Sequence, residues 1–402
     1  MGIREMKALV IAPQPFFSPR GTPFSVYYRT LAKAELGVRI DLLTYGQGDD
    51  VLIPGVRIVR IPRLSWLGPI RTGPSALKLL LDILLFGRAV GLILVHRYDF
   101  VHAHEEAIFF CQLLKPIFRF KLVYDMHSSL PQQLENFRFT KSKLLLEVFR
   151  WLEHKSIRRY DSVVTICHDL ERLVLDVIDK PEKHLLIENS LIDDVRLARP
   201  ARPSPEEPAA GAAEGISGPV PKDRRLVVYA GTLEAYQGID LLLESFVRVR
   251  QAAPGAFLLV VGGEPGHVAH YRALAGRLGL DADCRFVGRV SQAEARAYLR
   301  QASVQVSPRK HGTNTPLKIY EQLASGIPLV ATDIYSHTQV LDPSVAFLVA
   351  PRAEDFAEGI VRALRDADER RRRTAAAQKL YQDKYSRGVY FSKMKRLLEL
   401  LS

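Results

Sequence analysis

A lysine occupies the predicted first turn of a helix within TNTPLKIYEQLASGIPLVATD, residues 313–333. Thr315 suits the N-cap position, Pro316 suits the first helical position, and Gly326 is expected to end the helix. The ammonium of Lys318 then meets the positive partial charge of the helix N-terminus, which costs roughly 0.3–1 kcal/mol at a surface. A bound anion would reverse the sign of this effect. Two interpretations are open: a phosphate site that includes Lys318, or a solvated lysine tolerated at small cost.

Two other charged residues lie near Lys318 in the sequence. Arg309 follows a predicted strand and adds a second cation to the same strand–loop–helix unit. Glu321 lies three residues after Lys318 on the same predicted helix face. It either pairs with the lysine or accepts hydrogen bonds from the vicinal hydroxyls of a ribose. This combination predicts a site for a nucleoside diphosphate.

The elements that must position these residues alternate between strand-like and helix-like segments. Short apolar runs typical of buried strands are KALVIAP, RIDLLTY, RIVRI, FVHAH, KLVYDM, SVVTIC and HLLIEN, then LVVYAG, FLLVVGG, CRFVG, VQVSP, PLVATD and AFLVA. Helical patterns separate most of them, and this alternation predicts an α/β fold with doubly wound parallel sheets. Residues 199–222, rich in proline, alanine and glycine, are typical of a linker or surface loop. The sequence therefore predicts two α/β domains, residues 1–198 and 223–385.

Composition and charge limit the class of protein. The 47% hydrophobic and 25% charged residues are typical of a globular protein, and the net charge of +12 predicts an anionic partner. Nucleotides and anionic lipid surfaces rank above nucleic acid, because basic residues are spread through both halves and intermixed with acids. Cys111, Cys167 and Cys284 offer neither zinc spacing nor a disulfide framework, which favours a reducing, cytoplasmic location. Nothing in the sequence indicates the oligomeric state.

Two helical segments of the first half bear on membrane contact. Residues 76–95 are apolar, but Lys78, Asp82 and Arg88 argue against a membrane span, which favours a buried helix over a membrane-surface helix. Residues 138–160 combine an apolar stripe with basic residues. The stripe is Leu144, Leu145, Val148, Phe149 and Leu152, and the basic residues are Lys141, Lys155, Arg158 and Arg159. Two interpretations are open: an ordinary helix with one core face, or a surface that docks on anionic lipid.

The stretch 313–333 resembles the donor-binding signature of GT-B glycosyltransferases, particularly the retaining family 4. The resemblance continues in order through most of the chain outside the linker. It includes PRGTPFSVYYRTLAKAELGVRIDLLTY, FVHAHEE, YDMHSSLP, YAGTLEAYQGIDLLLESF, VVGGEPG, CRFVGRVSQAEARAYLRQASVQVSP and SHTQVL. It implies two Rossmann-like domains that face each other across a cleft, with the last helix, 386–402, packed back on the first domain.

Two positions depart from the family pattern. The family has glutamates eight residues apart, and the partner of Glu321 is here Thr313. The arginine and lysine that the family often carries after the first strand of the second domain correspond to Thr232 and Gln237. Other cations must therefore stabilise the leaving diphosphate. Lys318 is the leading substitute, followed by Arg309 and Arg20.

The resemblance implies roles for individual residues. Glu321 would hold the ribose, Lys318 the diphosphate, and His127 would lie beside the donor sugar or the acceptor hydroxyl. The donor-binding residues would be Arg20, Gly21, Thr22, Gly231, Thr232, Gly262, Gly263, Arg309, Thr313, Asn314, Thr315, Pro316 and Leu317. His104 and Glu105 would lie on the acceptor side.

The implied activity is retaining transfer of a sugar from a nucleotide-diphosphate donor to an acceptor hydroxyl, such as that of a lipid-linked or cell-envelope saccharide, with peripheral contact to an anionic membrane. No cofactor and no metal are expected. His102 and His104 point to one face of a strand, but Asp and Glu partners at zinc spacing are missing. Two alternatives stay open: a sugar-nucleotide epimerase or hydrolase on the same fold, and a non-catalytic anion- or nucleic-acid-binding protein.

Overall fold

The computed structural model describes residues 6–18, 21–63, 76–136, 142–191, 193, 195, 221 and 223–402. It divides into two compact units. Unit 1 comprises residues 1–202 and 387–402, and unit 2 comprises residues 203–386. Arg20, Lys141 and the predicted linker, apart from residue 221, lie outside the described residues.

Unit 1 is built on a parallel sheet. Its strands are β1 (Lys7–Ala12), β2 (Arg39–Thr44), β3 (Val56–Arg60), β4 (Phe100–His104), β5 (Lys121–Met126), β6 (Ser162–Thr165) and β7 (His184–Leu186). Its first helices are α1 (Gly21–Glu35), α2 (Ala76–Val95), α3 (Ala107–Phe118), α4 (Leu130–Asn136), α5 (Lys143–Arg159) and α6 (His168–Leu175). The strand order is β3-β2-β1-β4-β5-β6-β7. The chain adds strands to one side of β1 first and then, from β4 onward, to the other side, so the order of strands along the sheet reverses between β1 and β4.

Unit 2 repeats this architecture. Its strands are β8 (Arg225–Ala230), β9 (Ala256–Val261), β10 (Cys284–Gly288), β11 (Val304–Ser307), β12 (Leu329–Thr332) and β13 (Phe347–Val349). Its helices are α7 (Ile239–Ala252), α8 (Pro265–Arg277), α9 (Gln292–Arg300), α10 (Lys318–Ala324), α11 (Tyr335–Thr338), α12 (Ala353–Arg365) and α13 (Ala367–Lys384). The order β10-β9-β8-β11-β12-β13 reverses between β8 and β11. Ligands of open α/β sheets bind beyond the strand ends at such a reversal. The predicted α/β fold with two parallel sheets is confirmed.

The final helix, α14 (Arg387–Leu401), belongs to unit 1. Its apolar side chains enter the core on the face of the sheet that α1 covers: Tyr390, Met394, Leu397, Leu398 and Leu401. Two ion pairs hold its outer side: Arg387 Nη2 lies 2.6 Å from Glu35 Oε2, and Lys393 Nζ lies 2.5 Å from Glu188 Oε2.

Helices α2, α3 and α5 cover the opposite face of the unit 1 sheet, and their outer side is apolar. We call this surface the outer apolar face: Leu79, Ile83, Leu94 and Val95 of α2, Leu113 and Ile117 of α3, and Leu144, Leu145, Val148 and Trp151 of α5. Each of these side chains is exposed. The prediction that α2 is a buried helix is therefore wrong for its outer side. Its fully buried core residues are Leu81, Leu85, Ala89, Leu92 and Ile93, and the partly buried Leu77, Leu84, Phe86 and Val90 pack against the same core.

Candidate functional site

The lysine that the sequence placed in a first turn is the first residue of α10, and Leu317 precedes it as the N-cap. The predicted cap at Thr315 is wrong. The Thr315 hydroxyl is buried without a hydrogen-bond partner among the described residues. The backbone instead enters the helix through a tight turn, in which Ile319 N donates to Pro316 O at 3.0 Å. Pro316 thus lies before the helix rather than at its first position. Since α10 has only seven residues, any anion site here depends on side chains rather than on the helix end.

The Lys318 ammonium is buried although the side chain as a whole is half-buried. Its Nζ lies 4.2 Å from the centre of the Tyr229 ring, a cation–π contact. It has no hydrogen-bond acceptor among the described residues. Burial, with a smaller contribution from the positive charge of Arg309, lowers the pKa of Lys318 from 10.5 to about 7. A buried ammonium without an acceptor is costly, and an anion would satisfy it.

Arg309 supplies the second cation of this site. It follows β11, while Tyr229 and Gly231 lie at the end of β8, so both sides of the site come from the two strands at the reversal. The Arg309 guanidinium folds onto its own loop: Nε donates to His311 O at 2.7 Å and Nη1 to Asn314 O at 3.2 Å. Burial lowers its pKa from the ordinary value.

A buried histidine joins the ends of β11 and β12 beneath these cations. His337 Nδ1 lies 2.8 Å from Thr332 O, which can only accept, so Nδ1 carries the proton and Nε2 accepts from Ser307 Oγ at 2.9 Å. Burial lowers the pKa of His337 to about 3, so the ring is neutral. Thr332 Oγ1 donates to the backbone oxygen of Arg309. His337 is not among the site residues predicted from the sequence, and only its position after a strand could have indicated it.

Glu321 does not pair with Lys318. Its Oε1 accepts from Nε of Arg296, on α9, at 2.8 Å. The first open interpretation of Glu321, a lysine partner, is therefore wrong. Its side chain stays about a third exposed, at 30%, and the ribose role stays a prediction.

The glycines predicted for donor binding form a close backbone contact. A Cβ on Gly262 would lie 2.2 Å from Gly231 O, and the φ of Gly262 is +105°. A Cβ on Gly231 would lie 3.8 Å from Lys318 Nζ, so this glycine borders the ammonium directly. Gly263 follows in the same turn. Gly262 thus allows the two loops to approach closely, and Gly231 allows its loop to lie beside the cation.

The other predicted donor-binding residues of unit 2 lie in hydrogen-bonded loops, and those of unit 1 begin α1. Thr232 O accepts from Tyr229 Oη at 2.6 Å, and Thr313 O accepts from Gln339 Nε2. Gln237, at the position where the family often has a cation, donates to Thr232 Oγ1 at 3.4 Å. In unit 1, Gly21 and Thr22 open α1, and a Cβ on Gly21 would meet open space.

Unit 1 brings the predicted histidines together around the carboxylate of Asp125, which is not among the site residues predicted from the sequence. Asp125 Oδ2 lies 2.8 Å from His102 Nε2, and Asp125 Oδ1 lies 3.4 Å from His127 Nε2. His104 Nδ1 lies 3.0 Å from His127 Nε2. Strands β4 and β5 are neighbours, and His104 lies opposite Asp125. His102 and His104 are two residues apart, as are Asp125 and His127, so all four side chains lie on the same side of the sheet. That shared spacing was the available signal.

Two cations of α1 complete this cluster. Arg29 Nε lies 2.7 Å from Asp125 Oδ2, and Lys33 Nζ lies 3.1 Å from His102 Nδ1. Burial alone would raise the pKa of Asp125, but Arg29 and the surrounding histidines outweigh it and lower that pKa well below 3.8. Burial lowers the pKa of His127 to about 4 and of Lys33 to about 7.

His102, His104 and Asp125 offer ligand atoms within 4.8 Å of one another, so the partner thought missing for a metal is present on the neighbouring strand. The charges oppose a divalent ion here. Arg29 already pairs with the carboxylate, and Lys33 adds a second cation against His102. We therefore interpret the cluster as a hydrogen-bonded network.

Glu105 sits at the edge of this cluster with a left-handed backbone, φ 49°. Ser128 Oγ donates to Glu105 Oε2 at 3.1 Å. Burial, with help from the charge of Glu106, raises the pKa of Glu105 to about 8. A protonated Glu105 can donate a hydrogen bond at neutral pH, a property suited to hydroxyl-bearing ligands. Its acceptor-side role stays a prediction.

The comparisons with known proteins agree with this fold. The family models "Glycosyl transferase 4-like domain" and "Glycosyl transferases group 1" match residues 26–189 and 216–380, together most of the chain. Several solved structures share the fold of this chain at low sequence identity. They include sucrose-phosphate synthase from Thermosynechococcus elongatus, 18% identical with a TM-score of 0.73 over 98% of each chain. The HepE protein of Anabaena in complex with UDP and glucose is 16% identical with a TM-score of 0.69, over 98% of this chain and 100% of that one.

The two units and their sites thus define a glycosyltransferase of the GT-B fold. The chain belongs to the family 4-like glycosyltransferases and is an enzyme of that class. It is 25% identical to a phosphatidyl-myo-inositol mannosyltransferase of Mycobacterium tuberculosis, over 99% of this chain and 97% of the relative. The protein of the same name from Mycobacterium leprae is 30% identical over 45% of this chain and 48% of the relative.

Proposed function

We propose that the enzyme transfers a sugar, with retention of configuration, from a nucleoside-diphosphate sugar to a hydroxyl of a lipid-linked acceptor. The observation that carries the donor part is the Lys318 ammonium, buried over Tyr229 with no acceptor among the described residues and with Arg309 as a second cation. A diphosphate supplies the missing acceptor and charge. Charge-assisted hydrogen bonds of this kind contribute about 1.5–3 kcal/mol each.

The proposed chemistry needs positioning and charge stabilisation more than a dedicated base. The bond between the anomeric carbon and the diphosphate oxygen breaks, and the acceptor oxygen bonds to the anomeric carbon on the same face. The acceptor proton passes to the leaving phosphate. Lys318 and Arg309 would stabilise the charge that grows on the diphosphate. His127 would orient the acceptor hydroxyl, and no metal or cofactor is part of the proposal.

A thermal-shift panel tests the donor site. UDP, GDP, ADP and their sugar conjugates are added to the wild type and to Lys318→Ala. One nucleotide is expected to raise the melting temperature of the wild type, and the variant should bind it about tenfold to a hundredfold more weakly. Lys379→Ala is the control, because Lys379 lies on α13 with a 77% exposed side chain paired with Asp383. An equal response of wild type and Lys318→Ala would contradict the site.

The acceptor part of the proposal rests on the outer apolar face and on the mycobacterial relatives, whose name specifies phosphatidyl-myo-inositol. On α5 the exposed Leu144, Val148 and Trp151 continue along one helix side into Lys155 and Arg159. The Lys155 ammonium lies 4.4 Å from the Trp151 ring centre. Apolar side chains beside cations suit the boundary between acyl chains and anionic headgroups. No described helix is both long and apolar enough to cross a membrane.

Vesicle sedimentation tests this contact. The wild type is expected to bind vesicles containing phosphatidylglycerol and to stay in solution with pure phosphatidylcholine. The triple variant Leu144→Ser, Val148→Ser, Trp151→Ser should lose at least about tenfold in partitioning, given about 25 cal/mol per Å² of apolar surface. Leu175→Ser on α6, also exposed at 43%, is the control. Unchanged binding by the triple variant would exclude this face as the docking surface.

A further inference from the structure

The Glu321 carboxylate is held by a helix next to its own. Glu321 lies on α10, and its Oε1 accepts a hydrogen bond from Nε of Arg296, on α9, at 2.8 Å. The same contact is an ion pair, and the Arg296 side chain is only 16% exposed. Water screens a partly buried pair less than a pair on the surface. The contact therefore restricts the orientation of the carboxylate.

Arg296 extends from a helix that is itself well anchored. A capping box begins α9: Ser291 Oγ accepts from Glu294 N at 3.2 Å, and Glu294 Oε2 accepts from Ser291 N at 2.9 Å. On the inner side of α9, Ala295 and Leu299 pack against a hydrophobic core of unit 2. The backbone of Arg296 is therefore fixed, so its guanidinium is a fixed partner for the carboxylate.

The rest of the Glu321 carboxylate can accept hydrogen bonds from a ligand. Among the described residues, none donates a hydrogen bond to Glu321 Oε2. The side chain is 30% exposed, so a ligand can reach it. An ionised carboxylate has about four lone-pair sites, and the Nε of Arg296 uses one of them. The remaining sites suffice for two adjacent hydroxyls, which is how acidic residues bind a ribose in related α/β folds.

The position of Glu321 relative to Lys318 suits a nucleotide. The two residues lie three positions apart on α10, which brings their Cβ atoms to about 5–6 Å from each other. In a nucleoside diphosphate, the vicinal hydroxyls and the first phosphate are attached to the same ribose. A diphosphate bound at the Lys318 ammonium therefore places its ribose hydroxyls within reach of Glu321.

We propose that Arg296 is a positioning residue that holds Glu321 for the vicinal hydroxyls of the donor ribose, and so sets a preference for ribonucleotide over deoxyribonucleotide donors. Arg296 acts through Glu321 and does not touch the donor. Without Arg296 the carboxylate samples other rotamers, and part of the binding free energy is spent on ordering it again. The inference rests on the proposed function, because it needs a nucleoside diphosphate bound at Lys318.

Calorimetric titration with matched nucleotides tests the inference. UDP, GDP and ADP are each compared with their 2′-deoxy and 3′-deoxy analogues. For the diphosphate that the wild type binds most tightly, loss of at least one hydroxyl is expected to raise Kd about tenfold or more. Arg296→Met should lower this Kd ratio at least about threefold, mainly by weakening the ribonucleotide. Arg300→Met is the control, because Arg300 lies on the same helix with an exposed side chain; it should leave the ratio unchanged.

Two further variants show how Arg296 acts. Glu321→Ala should bind the ribonucleotide and its deoxy analogues with nearly equal Kd, because the acceptor of the hydroxyls is gone. In that background Arg296→Met should change neither Kd any further, since a residue that acts only through Glu321 has no effect without it. Lys318→Ala should weaken the ribonucleotide and both analogues by the same factor, because the diphosphate is common to all three.

The Kd ratio separates a positioning role from a structural one. An Arg296→Met protein with a lower melting temperature and an unchanged ratio would show that Arg296 only joins α9 to α10, which overturns the inference. A wild type that binds the ribonucleotide and both analogues equally also overturns it, and this result needs no variant to fold. So does a further loss of affinity when Arg296→Met is added to Glu321→Ala, because Arg296 then contacts the donor itself.

Failure of the proposed function gives a different result. A wild type that binds none of the three diphosphates contradicts the donor site as a whole, and the inference falls with it. Binding that is lost in Lys318→Ala but shows no preference for ribonucleotides keeps the donor site and overturns the role of Arg296 alone.

Discussion

Lys318→Met is expected to make the protein more stable and to weaken its response to nucleotide. The methionine keeps an apolar side chain over Tyr229 and removes a buried charge that has no acceptor among the described residues. We expect the free energy of unfolding at pH 6.5 to rise by on the order of 2 kcal/mol. Scanning calorimetry with and without the stabilising nucleotide measures both effects. Lys379→Met, on the exposed Lys379–Asp383 pair, should leave the free energy of unfolding nearly unchanged, because water screens an exposed ion pair.

The gain from Lys318→Met should shrink as the pH rises. The pKa of Lys318 is about 7 in the folded protein and 10.5 in the unfolded chain. Between these values the unfolded chain holds a proton that the folded protein has released. Wild-type stability therefore rises with pH, by up to about 1.4 kcal/mol per pH unit from this group. Below pH 7 both states are protonated and the penalty is complete. A variant advantage that is the same at pH 6.5 and pH 9.5 would contradict the burial of this ammonium.

Removing either member of the buried Arg29–Asp125 pair is expected to destabilise unit 1 strongly. Both side chains have no exposed surface, so Arg29→Met or Asp125→Leu leaves an uncompensated charge, at a cost of about 3–5 kcal/mol. The double variant should cost at least about 2 kcal/mol less than the sum of the single variants. Trp151 lies on α5 of unit 1. In a Trp66→Phe background, its fluorescence in guanidinium chloride therefore reports on this unit.

The exposed pair Lys379–Asp383 again provides the comparison. Its single variants should each leave the free energy of unfolding nearly unchanged, because water screens an exposed ion pair. If Arg29→Met also left it nearly unchanged, the Arg29–Asp125 pair would be an incidental contact rather than the centre of a buried network. Additive costs of Arg29→Met and Asp125→Leu would show that the two charges do not compensate each other.

The two candidate sites share one property, a buried charge that lowers the stability of the folded protein. Lys318 and the Lys33–His102–Asp125 network both place charge where water is excluded. An interior of low dielectric makes each interaction stronger and each unpaired group more costly. We expect a bound diphosphate to offset the free-energy cost of burying the Lys318 ammonium. The cost of burying the Asp125 carboxylate is offset by Arg29 within the folded unit.

The sequence alone determined the elements and their order. Apolar runs such as FVHAH and KLVYDM are β4 and β5 within a residue, because a buried parallel strand is recognised from its own side chains. Helix ends were less determinate. Thr315 and Pro316 carried the usual signals of a helix start, yet α10 begins at Lys318, because the chain first makes a tight turn.

Only the tertiary structure decided which side chains meet. Asp125 joins His102 because β4 and β5 are neighbours, and Glu321 pairs with Arg296 because α9 passes beside α10. Local spacing indicates which side of its own strand or helix a residue occupies, but neither of these partners can be identified from it. The outer side of α2 was expected to be covered, and the fold leaves Leu79 and Ile83 exposed. Strand neighbours and helix layers depend on the free energy of the whole unit, so the chemistry of both sites emerges only when distant segments pack together.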